Sequence, residues 1–189
     1  MEQKNKNAPV QLIIGLGNPT EEYQYTYHNV GTLACAYMKD HLPEEWSMGE
    51  KHSPKKSFSY HKLHGPKKRE LLLIQSLLYM NESGKALHDA LSFFKIPLSH
   101  VLVLHDDSDM TIGTYKFSYN QRSAGHRGIE SIIQHCGSQE FSRGKIGIRP
   151  AQEITRKKAN EFVLKNILKK DFSIFEKEVF PKIQEALLQ

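Results

Sequence analysis

Short apolar runs that stop abruptly, each followed by a stretch of helical spacing, constrain this chain more than any other feature. "VQLIIGL" (10–16) is brief, β-branched at three positions and closed by glycine, which predicts a buried strand. Val30, Leu33, Ala34, Tyr37 and Met38 then recur at helical intervals, with Pro43 just beyond. "SFSYHKL" alternates and "ELLLIQSLL" is continuously apolar; "HGPKKR" between them predicts a hairpin. Leu87, Ala90, Leu91 and Phe94 mark a helix that starts near Asn81 or Ser83. "HVLVLHDD" reads as an interior strand that stops at its acids, and "TYKFSY" as a strand with one solvated face. Ile129, Ile132, Ile133 and Cys136 define a third helix, "KIGI" a last short strand, and Phe172, Phe175, Val179 and Ile183 a C-terminal amphipathic helix. "WSMGEKHSPKK" has no periodicity and reads as an exposed loop. Strands interleaved with helices predict an α/β fold: one domain over residues 1–189, a twisted mixed β-sheet flanked by helices, with 1–9 a frayed polar start.

At 189 residues the chain can bury a core without disulfides or metal staples. Cys35 and Cys136 lie far apart, each in an apolar helical pattern, and read as buried small hydrophobes in a reducing compartment. No signal-like segment opens the sequence and no apolar run approaches membrane-spanning length, so a cytoplasmic protein with no membrane partner is expected. Charge is unevenly placed. The whole chain carries +5, yet residues 110–170 hold twelve Lys and Arg against four Glu, a local excess of +8. Such a field attracts a polyanion, although an ordinary solvated basic face has the same composition.

The loop "GLGNPTEEYQYTYHN" (15–29) has two glycines after a strand, as a nucleotide loop does. Thr20 stands where the third glycine belongs and no P-loop lysine follows, so Gly15 and Gly17 are read as turning residues. In an α/β fold, reactive groups gather in the loops at strand ends. Asn18, His28, Asn81, Asp106 and the pair His126-Arg127 all occupy such ends and can converge on one cleft. An imidazole takes a proton from water near neutrality, and a carboxylate on its other nitrogen fixes the tautomer. Asparagine amides suit a peptide-like group or a developing oxyanion. No GxSxG elbow accompanies them, which points to water as the nucleophile and direct hydrolysis. There is no HExxH, and "DDSDM" lacks the glycine and distal glutamate of an EF-hand; neither a metal nor another cofactor is expected. Each residue also has a plainer reading: Asn81 as a helix cap, Asp106 as a turn former, His28 as a surface histidine at a helix start.

The motifs themselves resemble a family. "GLGNPTEEYQYTYHNVG" is similar to the signature of bacterial-type peptidyl-tRNA hydrolases, GLGNPG-x-x-Y followed by RHN-x-G. "YMNESGKAL" resembles FMN-x-SGKA-V, "VLVLHDDSDMTIGTYKF" the stretch with HD-[DE]-x-D, "GHRGIESI" the GHNGL-x-x-I segment, and "KIGIRP" with "FVL" the closing motifs, all in order over 10–164. The resemblance implies hydrolysis of the ester between a peptide and the tRNA 3′ ribose by a cofactor-free monomer. It implies His28 as general base, Asp106 as the acid that orients it, with Asp107 and Asp109 as fallbacks, and Asn18 as a residue that recognises the blocked peptide. Tyr23, Tyr79 and Asn81 match substrate-binding positions, and Lys116 and Lys145 match basic positions that face tRNA phosphates.

Departures from the pattern are specific. Arg127 stands where the family usually has a water-orienting, substrate-binding asparagine, and a guanidinium donates but cannot accept. Two outcomes follow: a cation that stabilises the oxyanion or a terminal phosphate, or a spoiled site in a tRNA-binding homologue with little or no turnover. "NQRSA" replaces a glycine-rich run and adds Arg122, and Tyr27 precedes His28 where arginine is common.

Overall fold

Along β1 (Leu12–Gly15), Leu12 and Ile14 face one side of a sheet and Ile13 the other, and all three are sealed from solvent. Burial on both faces is why the run is continuously apolar, each such side chain contributing roughly 1.5–3 kcal/mol. The computed structural model describes residues 9–150 and 162–189. The expected frayed start therefore falls almost wholly outside the described residues, as does part of the basic segment.

After β1 come α1 (Val30–Asp40), β2 (Ser47–Met48), β3 (His52–Lys55), β4 (Phe58–His64), β5 (Glu70–Ser76) and α2 (Ser83–Phe94). They are followed by β6 (Val101–Thr111), β7 (Tyr115–Tyr119), α3 (Arg127–Cys136), β8 (Ser142–Arg149), α4 (Lys169–Ile174) and α5 (Phe180–Leu188). Eight strands form one mixed sheet in the order β2-β4-β5-β1-β6-β8-β7, with β3 also on β4. β1 is central and parallel to both β5 and β6, and β6 is parallel to β8; the remaining pairs are antiparallel. Val30, Ala34 and Met38 of α1 and Phe180 and Ile183 of α5 cover the face of Ile13, Leu102 and Leu104. Leu87 and Ala90 of α2 and Ile129 and Ile132 of α3 cover the face of Leu12, Ile14 and Val103.

The structure bears out the mixed α/β sheet and the hairpin, and corrects four readings. Residues 47–55 are not simply loop: β2 and β3 pair with β4 through backbone groups while their side chains stay exposed, a pattern invisible to hydrophobic periodicity, and Pro54 is tolerated on the edge strand β3. Trp46 is buried, its Nε1 donating to Leu188 O at 3.0 Å. β6 does not stop at its acids. It runs on to Thr111 because β8 continues the ladder, pairing Asp106 with Ile146 and Asp107 with Gly147. For the same reason β8 extends beyond "KIGI". The C-terminal helix is interrupted by a wider turn over Phe175–Val179, where Phe180 N–H reaches back five residues to Phe175 O, just before Pro181.

Both cysteines are unbridged, and burial pushes the Cys35 thiol up to about 12 and Cys136 up to about 11. Gly15 and Gly31 serve close approach. A Cβ on Gly15 would lie 2.2 Å from Gly31 O, and one on Gly31 would lie 2.2 Å from Leu104 O. The start of α1 thus packs backbone to backbone against the ends of β1 and β6, which fixes the turn just before it.

Candidate active site

Register places Asp106. Gly15 ends β1 opposite Leu104 of β6, so Asp106 lies two residues beyond the end of the central strand. Its parity is that of Leu102 and Leu104, on the α1 face, and His28 lies in the turn Tyr27–Asn29 that leads into α1. His28 Nδ1 is 2.8 Å from Asp106 Oδ1, and Asp106 is buried. Burial alone would raise the Asp106 carboxyl, but the His126 and His28 rings outweigh it and hold it well below the ordinary carboxylate range. An ionised Asp106 accepts from Nδ1–H, which leaves His28 Nε2 as the lone-pair nitrogen.

The turn carrying His28 is clamped from outside. His28 N–H donates to Val163 O at 2.8 Å, Ile167 N–H donates to Tyr25 O at 2.8 Å, and Thr26 bridges Asn166. Tyr27 OH donates to Asp171 Oδ2 at 2.5 Å in the interior, and burial with this bond pushes the phenol up to about 12.

His126, placed at the cleft with Arg127 by its position in the sequence but without a distinct role, has one in the structure. It caps α3: its Nδ1 accepts from Gly128 N–H at 3.1 Å and Ile129 N–H at 3.3 Å. The proton must then sit on Nε2, which donates to Asp106 Oδ1 at 2.9 Å. Its signal was position, immediately ahead of an amphipathic helix, but imidazole is an uncommon cap and the partner lies 20 residues away. His105, also unassigned, is buried beside it, with Nδ1 2.7 Å from Asp106 O; burial and then the neighbouring His126 lower its pKa well below the histidine norm.

Asn18 is held on every side. Its backbone exchanges two hydrogen bonds with the buried Asn29 side chain, at 2.8 and 2.9 Å, and its Oδ1 accepts from Met80 N–H at 2.9 Å. With the oxygen engaged, the Asn18 amide has its NH₂ left to donate. Asn29 had received no role in the sequence reading. Asn81 does not cap α2: Glu82 occupies the N-cap position, and Asn81 lies in the turn before it.

One cavity of about 400 Å³ brings together Asn18, Tyr23, His28, Tyr79, Asn81, Asp106, Arg127 and Lys145, from segments distant in the chain. Lys116 is not among its lining residues. It is exposed on β7, directly opposite Lys145 of β8, and Lys145 Nζ pairs with Asp107 at 3.1 Å. Arg143 is almost wholly buried and pairs with no carboxylate among the described residues; it donates to the carbonyls of Gln121 and Arg122, stacks on Phe141, and burial lowers its pKa to about 10.

His28, Asp106 and His126 offer ligand atoms within 4.8 Å of one another. His126 is poorly suited to hold a metal there, because coordination through Nε2 requires a hydrogen on Nδ1, facing the N–H groups of Gly128 and Ile129. Among the described residues no helix is long and apolar enough to cross a membrane.

The family model described as peptidyl-tRNA hydrolase matches residues 12–189. The peptidyl-tRNA hydrolase of Thermosynechococcus vestitus is 38% identical over 181 residues, covering 91% of this chain and 81% of that protein. That of Trichodesmium erythraeum is 32% identical, covering 94% and 79%. The fold matches the crystal structure of peptidyl-tRNA hydrolase from Acinetobacter baumannii with a TM-score of 0.76 at 25% identity, over 94% of this chain and 92% of that one. With sequence and fold in agreement over nearly the whole length, this chain belongs to the peptidyl-tRNA hydrolase family.

Proposed function

We propose that this chain hydrolyses the ester of peptidyl-tRNA, acting as a monomer in the cytoplasm, with His28 as general base. The observation that carries the reading is the 2.8 Å contact between His28 Nδ1 and a carboxylate that also receives His126 Nε2–H. His28 Nε2 takes a proton from water as its oxygen adds to the ester carbonyl carbon. The carbonyl becomes an oxyanion, and Asp106 stabilises the imidazolium. The Asn18 NH₂ and the Asn81 side chain supply neutral donors to the peptide and the oxyanion. Collapse breaks the bond to the ribose oxygen, which receives the proton from His28. A free peptide acid and tRNA leave. Tyr23 and Tyr79 flank the site as substrate contacts, and Lys116, Lys145 and the +8 segment supply the attraction for tRNA.

A descendant that merely adheres to RNA would not need a base with its tautomer fixed, so the binding-only reading is the weaker one. The deciding experiment uses N-acetyl-aminoacyl-tRNA. Purified protein releases the N-acetyl amino acid, and His28→Ala reduces kcat by about 10²- to 10⁴-fold while tRNA affinity is kept. Unchanged turnover in H28A removes His28 from its role; no release by the native chain removes the activity.

A further inference from the structure

Charge on the cavity wall does not balance. Its three carboxylates are engaged: Asp106 with two imidazoles, Asp107 with Lys145, and Asp109 at 3.9 Å from Arg149. Arg122 and Arg127 line the same cavity, both exposed, and neither side chain forms a hydrogen bond or ion pair among the described residues. Behind them, buried Arg143 adds a third guanidinium that, among the described residues, has no carboxylate and no partner for its Nε. Arg127 is also badly placed for its own helix. It is the first residue of the ten-residue α3, where the macrodipole disfavours a cation, and it does not pair with Glu130 one turn on. The loop ahead of it holds positive φ at the non-glycine residues Asn120 (52°) and Ala124 (50°).

We propose that Arg122 and Arg127 form an anion subsite for the phosphate of the nucleotide that carries the scissile ester. The proposal rests on the function argued above. That phosphate is present in every such substrate, one nucleotide's length from the reacting carbon, whereas an acidic side chain is present in only some peptides. Guanidinium forks match its oxygens, and Arg122, on a loop pinned by Arg143, and Arg127, at the start of α3, can close on it from one wall.

The test compares N-acetyl-alanyl esters of adenosine and of 5′-AMP, together with N-acetyl-alanyl-tRNA and N-acetyl-aspartyl-tRNA. The native chain should prefer the AMP ester over the adenosine ester, and Arg122→Gln/Arg127→Asn should lose that preference, a change of about tenfold or more, chiefly in KM. On tRNA the dependence of log kcat/KM on log salt should flatten by about 0.7 for the contact removed. An unchanged preference and salt slope overturn the subsite while leaving the hydrolase intact. A loss confined to the aspartyl substrate overturns it in favour of the peptide. If the native chain cleaves none of the four, both the function and the subsite fall.

Discussion

His126 and Asp106 are joined at 2.9 Å through the one His126 nitrogen that can carry a proton, because the other caps α3. Cap and contact can be separated. His126→Asn keeps an oxygen able to cap α3, whereas His126→Ala also loses the cap and about 1 kcal/mol of stability. Both should lower kcat, as Asp106 then holds His28 without its second donor; H126A, which also loses the cap, should shift the urea midpoint further than H126N.

In the proposed mechanism Asp106→Asn removes the charge that would stabilise the imidazolium, and kcat should fall by about 10²- to 10⁴-fold with KM little changed. The linkage has a definite sign. A carboxyl depressed in the folded state contributes stability above about pH 4, and that contribution is lost as the pH falls toward its folded value. Urea titrations across this range should show D106N and the native chain converging at low pH.

Tyr27→Phe leaves Asp171, only 5% exposed, without its hydrogen-bond donor, and should cost about 1–3 kcal/mol. The phenol is raised to about 12, so its contribution is complete below about pH 10 and disappears as the pH climbs toward 12. Alkaline unfolding of Y27F should lack this limb.

His105 shapes the acid side. A histidine depressed by burial contributes stability above about pH 6.5 that is lost as the pH falls, at up to roughly 1.4 kcal/mol per pH unit. His105→Asn should flatten stability between pH 6.5 and 4.5, measured by thermal melts. An equal slope in both proteins would show that His105 takes up its proton without unfolding.

The elements that bury apolar side chains were legible in sequence because period reveals burial: β1, α1, α2, α3 and the β4–β5 hairpin follow the pattern of their Leu, Ile and Val. The edge strands β2 and β3, held by backbone groups, leave no such trace. The site divides similarly. His28 and Asn18 stand next to turn residues and Asp106 follows an apolar run, where chemistry is sought first, although β6 continues past that acid. His126, Asn29 and Arg143 act by holding those residues or their loop, and their roles depend on contacts between segments far apart in the chain. Lys116 could be assigned to a strand, but not to the outside of the cavity, since that depends on which strands are neighbours.

The latch between Tyr27 and Asp171 makes the last helices part of what holds the His28 turn in place. A premature stop codon just after Leu168 would spare Asn18, His28 and Asp106, yet it would strip the tether from the histidine turn. Because Phe180 and Ile183 also cover one face of the sheet, partial proteolysis of the tail should lower turnover and thermal stability together.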